Sequence, residues 1–511
     1  MPNATDPVIQ TISGRRWDNW HHSVGGRVAR FIHIWNDVPN RSSVDSYNKT
    51  TAALQRIMQE AMDANRNLRG LGGGWSFSPV ALTDGVLINT RNLNYQFNVP
   101  AHLVHPAYPG LPENLVFAQC GTAIAELNHE LGLRSKSLKT SGASNGQTIV
   151  GAMSTGTHGS AIDVGAIQDS VVALHIITAP DRQVWLERAS QPVLADSFPE
   201  ERLGADLIRD DATFNAALVS MGSFGLIHGV VIEVEDRFHL QVFRQRMRLD
   251  DDLWAALDHL DFSGVTLPRS GGERPYHFQA VFNPHDQDTS PYMTVMYKDT
   301  VPAASCKPIE RNQKWSPGDD AAAVVGRLTD VASGIVPALA GFLVESQYGE
   351  VDGECGTLGE VFTNTTLRGH LASAAVGIPL ARVRETLEAL RDLHNQEPFP
   401  GLFALRYVRG TTATLGFTRH HPQTCILELD APQSSRTEKF YARAWDRFIT
   451  LDLPFTFHWG KMQRRDAALT ERMYGPQAIQ SWQAARHSLL TTPALRRLFT
   501  NRMLAELGLG T

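Results

Sequence analysis

Two glycine-rich segments constrain this chain more than any other feature. The first, residues 69–78, reads RGLGGGWSFS. Consecutive glycines let backbone approach a ligand closely and adopt positive φ. Successive exposed N–H groups then form a concave anion-binding nest, and Ser76 and Ser78 add hydroxyl donors. A diphosphate is the natural guest. The segment lacks the Gly-Lys-Ser/Thr ending of a Walker loop. It runs into a strand-like stretch rather than a helix, which excludes the Rossmann fingerprint. Four glycines by themselves also describe a surface turn. The second segment, residues 141–160, reads SGASNGQTIVGAMSTGTHGS. It is rich in small, hydroxyl and amide side chains and too poor in apolar ones to pack by itself. Such a stretch either lines a ligand or is disordered. A third piece, residues 222–229 (GSFGLIHG), has the same character just before a strand.

Around these segments, helix and strand signals alternate. Residues 46–64 carry apolar side chains at helical spacing. Residues 85–90, 116–119, 170–178, 183–186 and 229–234 read as strands, and 214–218 as a helix. A helix over 124–131 is expected to end at Gly132 as its C-cap. After about residue 237 the texture changes to alternating runs (238–249, 276–282, 291–297), which suit an antiparallel sheet covered on one face. An amphipathic helix over 381–393 precedes strands at 402–408 and 424–429, and 493–507 reads as helical. The most apolar stretch, 331–344, is interrupted by Gly334, Pro337 and Gly341 and reads as a broken core helix or loop. The fold class is α+β, with one domain over 1–237, a second over 238–451 lying on it, and a C-terminal segment, 452–511, returning to the first.

The chain has 511 residues, enough for two domains and a large core that needs no metal or disulfide staple. A net charge of -6 without any long basic run argues against nucleic acid or an anionic membrane as partner. Cys120, Cys306, Cys355 and Cys425 form no CxxC pair and fit no zinc site. No disulfide framework, a reducing compartment and a cytoplasmic location are therefore expected. No Sec or Tat signal is read in the first twenty residues, and no stretch is apolar enough to span a membrane.

Six stretches carry a family resemblance. They are LRGLGGGWSFSPVALTDGVLINTRNLN, GQTIVGAMSTGTHGS, DSVVALHIITAPDRQVWLER, GSFGLIHGVVIEV, and the short WDNW and HWGK (458–461) near the two ends. Together they resemble the vanillyl-alcohol oxidase superfamily, nearest the alditol oxidase and sugar-1,4-lactone oxidase branch. The resemblance implies a two-subdomain FAD-binding domain of the PCMH type and a substrate (cap) domain built on an antiparallel sheet flanked by helices. It implies FAD held by Gly72, Gly73, Gly74, Trp75, Ser76 and Ser78 of the first loop. From the second segment it implies Gly142, Ser144, Gln147, Thr148, Gly151, Thr155, Gly156, His158, Gly159 and Ser160. Gly225, Ile227 and Val230 would hold the adenine end.

Two departures from the branch stand out. A histidine that bonds covalently to the flavin is usual where Trp75 stands, so non-covalent FAD is expected. The branch also has a Glu-x-Arg strand over the flavin, whereas here the residues are Ala404, Leu405 and Arg406. Glu428 and Asp430 share one face of the neighbouring strand, because side chains alternate, and a carboxylate has moved there on this reading. Glu428, with His458, is the candidate base, and Arg406 and Lys461 are the candidate electrostatic stabilisers. Plainer readings stand beside these: a solvated Lys461, an exposed Glu428, a core His458, and a structural His158. The resemblance also implies that a small residue at Gly142 leaves the flavin open to dioxygen, which favours an oxidase.

Three functions remain open: a polyol, sugar-lactone or hydroxylated-metabolite oxidase producing hydrogen peroxide; an oxidase of a larger or aromatic secondary metabolite; and a flavin-binding protein without turnover. In each case the partner is a small molecule rather than nucleic acid or membrane.

Overall fold

The computed structural model describes residues 7–36, 44–269, 273–286, 290–302, 306–309, 337, 348–362 and 370–510. The N-terminal part builds two sheets. Strands β1 (Val8–Ser13), β2 (Arg30–Trp35), β3 (Leu68–Leu71) and β4 (Val86–Asn92) form a four-stranded sheet in the order β1-β2-β4-β3. Helix α1 (Val44–Asp63) buries Leu54, Ile57, Met58 and Ala61. They lie three or four residues apart, so they form one stripe against Ile32, Leu68 and Ile88 of this sheet. Leu54, Ile57 and Met58 each contribute about 1.5–3 kcal/mol when fully buried.

The second sheet contains β5 (Gln96–Asn98), β6 (Leu115–Gln119), β7 (Val171–Ala179), β8 (Arg182–Glu187), β9 (Asp206–Arg209) and β10 (Leu226–Glu233) in the order β9-β8-β7-β10-β6-β5. Its central strand β7 is buried at every position, which explains its unbroken β-branched run.

From His239 onward the chain builds a nine-stranded sheet. Its strands are β11 (His239–Arg246), β12 (His277–Phe282), β13 (Tyr292–Asp299), β14 (Lys307–Pro308), β15 (Val351–Thr357), β16 (Leu371–Pro379), β17 (Leu402–Arg409), β18 (Gln423–Pro432) and β19 (Thr456–Phe457). Three helices cover one face: Asp251–His259, Val383–Gln396 and Ser435–Thr450. Leu405, Leu427 and Leu429 point into that layer with Leu390, Phe440 and Trp445. The alternate residues Ala404, Arg406, Glu428 and Asp430 therefore occupy the opposite face, towards the first two sheets.

The chain then returns. β19 adds to the edge of the nine-stranded sheet beside β16. Helices Ala467–Tyr474, Pro476–Leu489, Pro493–Leu498 and Arg502–Glu506 follow, and those from Pro476 on pack against the N-terminal part.

Several local expectations change. Gly132 lies inside the helix Ile124–Leu133, whose cap is Arg134; a Cβ at Gly132 would meet nothing, so the glycine there was no stop signal. Residues 149–155, read as too polar to pack, form a helix that buries Ile149, Ala152 and Met153 and is capped by Thr148. The helical run at 493–507 is two helices, separated where Asn501 caps the second. Cys306 and Cys355 form a disulfide with Cα atoms 5.6 Å apart, contrary to the expectation of none. The parallel pairing of β14 with β15 brings together cysteines 49 residues apart, which spacing could not show. That bond removes the support for a reducing compartment. The apolar stretch 331–344 lies outside the described residues except for Pro337. Among the described residues no helix is long and apolar enough to cross a membrane.

Candidate functional site

The first glycine segment leaves β3 and turns back on the second. A Cβ on Gly73 would sit 2.5 Å from the carbonyl oxygen of Gly146, so only glycine permits this approach. Gly74 adopts φ +72°, where a side chain is strained. Among the described residues the amides of Gly73, Gly74 and Trp75 have no hydrogen-bond partner. They are donors left for an anion. Further along, the amide of Phe77 donates to the Gly460 carbonyl at 2.7 Å, and Ser78 Oγ donates to the Trp459 carbonyl at 2.6 Å. The loop is thereby tied to the 458–461 turn that carries Lys461.

One cavity of about 490 Å³ runs between these loops and the nine-stranded sheet. Gly72, Gly73, Gly74, Trp75, Ser76, Ser78, Gly142, Ser144, Gln147, Thr148, Gly151, Thr155 and His158 line it, with Gly225 and Ile227. Arg406, Glu428, His458 and Lys461 line it as well. Four sequence candidates lie outside its lining. Gly156 ends the helix 149–155 in a left-handed conformation and packs on Phe417. Gly159 packs on Thr140 and Ser141. Ser160 donates to the Phe278 carbonyl and accepts the Tyr407 amide, which pins the second glycine segment to the nine-stranded sheet. Val230 is fully buried in the core of β10. Alternation and capping explain these placements, and neither is visible in composition.

Trp75 stacks on Trp20 with ring centroids 5.1 Å apart. His21 stacks on Phe77 at 4.0 Å and meets Trp75 edge-on. Burial pushes the His21 imidazole down to about 3, helped by the Lys461 charge, so the ring is neutral at pH 7.

The opposite end of the cavity is charged. Ala404 and Glu428 are direct cross-strand partners in the β17–β18 register. The carboxylate thus stands across the ladder from the position the Glu-x-Arg pattern would give it. Glu428 is buried. Its Oε2 lies 3.0 Å from Arg406 Nε, an ion pair whose angle falls short of a hydrogen bond. Its Oε1 lies 3.7 Å from Lys461 Nζ and 3.8 Å from His158 Nε2. Burial by itself would raise the Glu428 carboxyl, but the Arg406 and Lys461 charges outweigh it and hold the group ionised.

Two residues on, Asp430 accepts a hydrogen bond from Ser373 Oγ, its partner across the β16–β18 ladder. Lys461 Nζ donates to the same Ser373 oxygen at 2.6 Å. Burial raises the Asp430 carboxyl, and the neighbouring Glu428 charge adds to the rise. Its other oxygen has no hydrogen-bond partner among the described residues. Glycine 460 donates its amide to His458 Nδ1 at 2.9 Å, so the proton of this buried, neutral ring sits on Nε2. His158 Nδ1 donates to the Gly159 carbonyl at 3.0 Å.

Sequence reasoning placed Glu428 and Asp430 on one face but gave Asp430 no role. It missed Ser373, His21, Tyr348 and the apolar rim of Leu371, Leu402, Ala431 and Pro432. The two-residue period was the signal available for Asp430. Ser373 had none, because only strand register brings it there.

Comparison with known proteins agrees with this geometry. Residues 46–187 match the FAD binding domain family. A putative D-arabinono-1,4-lactone oxidase of Neurospora crassa is 29% identical over 214 residues, 40% of this chain and 33% of that protein. L-gulonolactone oxidase of Bos taurus is 25% identical over 246 residues, 48% of this chain and 46% of that protein. The match therefore spans less than half the length of either relative. Among solved structures, a cholesterol oxidase from Brevibacterium sterolicum superposes with a TM-score of 0.69. It covers 98% of this chain and 97% of its own at 14% identity, which shows the fold.

Proposed function

We propose that this chain, a flavoprotein of the vanillyl-alcohol oxidase superfamily that binds FAD, oxidises a CH–OH group of a small molecule and passes the electrons to dioxygen, giving hydrogen peroxide. The observation that carries this reading is the Arg406–Glu428–Lys461 cluster, built around a buried carboxylate. It closes the far end of a cavity whose near wall is two glycine loops, the first with its Gly73, Gly74 and Trp75 amides free. FAD bound there supplies hydride acceptance. The chain's own residues fix the alcohol and take its proton. Arg406 and Lys461 hold positive charge where negative charge develops. Glu428 keeps both cations in place. It remains the sequence candidate for base, but its two ion pairs lower its proton affinity. Asp430, with a raised carboxyl and a free oxygen in the cavity, is better matched to the proton of a hydroxyl. His458 presents an N–H and acts as a donor.

The apolar rim of Leu371, Leu402, Ala431 and Pro432 favours a substrate with an apolar portion outside its reacting hydroxyl. That observation supports a larger or aromatic alcohol over a bare polyol. Trp75 offers no nucleophilic atom, so FAD is read as non-covalent.

The first experiment is a visible spectrum of the purified protein before and after acid precipitation, followed by anaerobic addition of alcohols. Yellow colour that moves to the supernatant and bleaches with an alcohol supports the whole reading. Colour retained in the pellet overturns the non-covalent part and directs attention to His21. Colour that no alcohol bleaches favours a flavin-binding protein without turnover.

A further inference from the structure

Arg69 belongs to β3, immediately before the first glycine turn, and is 2% exposed. Its guanidinium sits in a cage of four backbone carbonyls. Nη1 donates to Gly222 at 2.9 Å and to Phe499 at 3.1 Å; Nη2 donates to Val80 at 2.5 Å and to Met221. Among the described residues no carboxylate lies within ion-pair distance of Arg69. Burial pushes it down to about 9, so it stays a cation at neutral pH. A buried charge balanced by dipoles alone is costly.

The cage joins three parts of the chain that meet at the cavity. Arg69, Val80, Met221 and Gly222 all line it. Phe499 belongs to the C-terminal segment, and two residues later Asn501 repeats the connection. Its side-chain Nδ2 donates to the carbonyls of Pro79, Val80 and Leu82 at 3.3, 3.0 and 3.0 Å. Its Oδ1 accepts the Leu504 amide and starts the last helix. Val80 thus receives donors from both Arg69 and Asn501.

We propose that Arg69 is a cofactor-positioning residue whose counter-charge is the diphosphate of FAD, so that FAD binding and docking of the C-terminal segment on the cofactor loops are coupled. This rests on the FAD reading and not on alcohol oxidation. A buried cation without a carboxylate, beside a cavity whose amides are left for an anion, is stabilised when a dianionic diphosphate enters. The same cation organises the carbonyls that seat Phe499. By linkage, whatever tightens one equilibrium tightens the other equally.

The test uses the full chain stripped of and reloaded with FAD. FAD affinity is read by flavin fluorescence, thermal midpoints are taken for both forms, and trypsin cleavage at Arg497 and Arg502 is followed. In the wild type, FAD is expected to slow that cleavage. Arg69→Gln is expected to weaken FAD at least about tenfold, to lower the loaded midpoint more than the empty one, and to abolish the protection. Arg69→Lys, which keeps the charge but not the cage, is expected to recover part of the affinity. A merely structural staple would lower both midpoints equally and leave FAD affinity within about twofold, and that result overturns the proposal. If Arg69→Gln fails to fold, Asn501→Ala replaces it: FAD affinity should fall although the charge is intact, and unchanged affinity overturns the coupling. A wild type that never takes up FAD is distinguishable, since it removes the cofactor reading itself.

Discussion

The two ends of the cavity are built in different materials. The cofactor end is backbone: adjacent glycines, unclaimed amides and positive-φ residues (Gly74, Met221, Gly222 and Gly225), contributed by a few short segments. The substrate end is side chain. Arg406 comes from β17, Glu428 and Asp430 from β18, Ser373 from β16 and Lys461 from the turn after β19. A backbone site tolerates almost no substitution at its close approaches. A side-chain site can relocate a charge to the next strand and keep its geometry. The pairing of Ala404 with Glu428 shows that second kind of freedom.

The comparison breaks first if the glycine end tolerates change. Gly73→Val places atoms inside contact distance of the Gly146 carbonyl. Overpacking of this kind costs about 1–3 kcal/mol, and here the cost falls on the cofactor loops. The purified variant should be colourless, or bind FAD about 100-fold more weakly, with its far-ultraviolet circular dichroism unchanged. A yellow Gly73→Val protein would mean that the loops do not meet in the way described.

At the other end, Glu428→Gln keeps the shape and removes the anion. Arg406 and Lys461, both half-buried, are then left without their partner. Breaking a pair whose carboxylate is buried costs up to about 3–5 kcal/mol, and with the two cations displaced reduction by an alcohol should fall by roughly 10²–10³. The two ends separate in the readouts: Gly73→Val loses FAD, whereas Glu428→Gln keeps the colour and loses the reaction. The stability effect also depends on pH. The folded Glu428 carboxyl lies below its unfolded value of roughly 4.3. Its stabilisation is complete above that value and is lost as pH falls towards the folded one. Wild type and Glu428→Gln should therefore converge in stability as the pH is taken down through the acid range. A constant gap in thermal midpoint down to low pH would show that Glu428 is not held as an ion.

The same contrast explains what the sequence could reveal. The glycine segments, the strand at 171–179 and the alternating second half were legible because contiguous residues carry their period or their conformation. The face of Glu428 was not, since a one-residue slip in register reverses it. Leu405, Leu427 and Leu429 settle that register by filling the helix-covered side. Ser373 and the Cys306–Cys355 bond depend on which strands become neighbours, and no local pattern encodes that. The helix at 149–155 was missed for another reason: its few apolar side chains are buried in the N-terminal core beside helix Asp211–Leu218 and strand β10, and tertiary packing overrides a weak local signal.

Asp430 sharpens the substrate end further. Its carboxyl is raised by burial and by Glu428. The charged groups around it are Glu428 on its own strand, Arg406 on β17 and Lys461 beyond β19. As the proton acceptor it must be ionised, so the rate of reduction should rise with pH through this raised value. Asp430→Asn should remove that rise and slow the reaction, while FAD binding stays intact. A wild-type profile that is flat across the acid to neutral range, or one that Asp430→Asn leaves unchanged, would return the base to Glu428.

The smallest effect tests whether the carboxylate has truly changed strand. Ala404→Glu alone places a second buried carboxylate directly across the ladder from Glu428, where like charges repel by a few tenths to about 1 kcal/mol even before desolvation. It should destabilise the protein and slow reduction. Glu428→Ala alone should lose the reaction as Glu428→Gln does. The double substitution Ala404→Glu with Glu428→Ala exchanges the two side chains across one paired position. Cross-strand partners on one face have Cβ atoms about 4.5–5.5 Å apart, within the reach of a glutamate side chain, so Arg406 can pair with the carboxylate from either strand. The double variant should then recover thermal stability and regain reduction to within about tenfold of wild type, far above the product of the two single effects. Strict additivity would mean that the two positions are not equivalent seats for the charge, and that Glu428 acts through a contact, such as Lys461 or His158, that position 404 cannot reproduce.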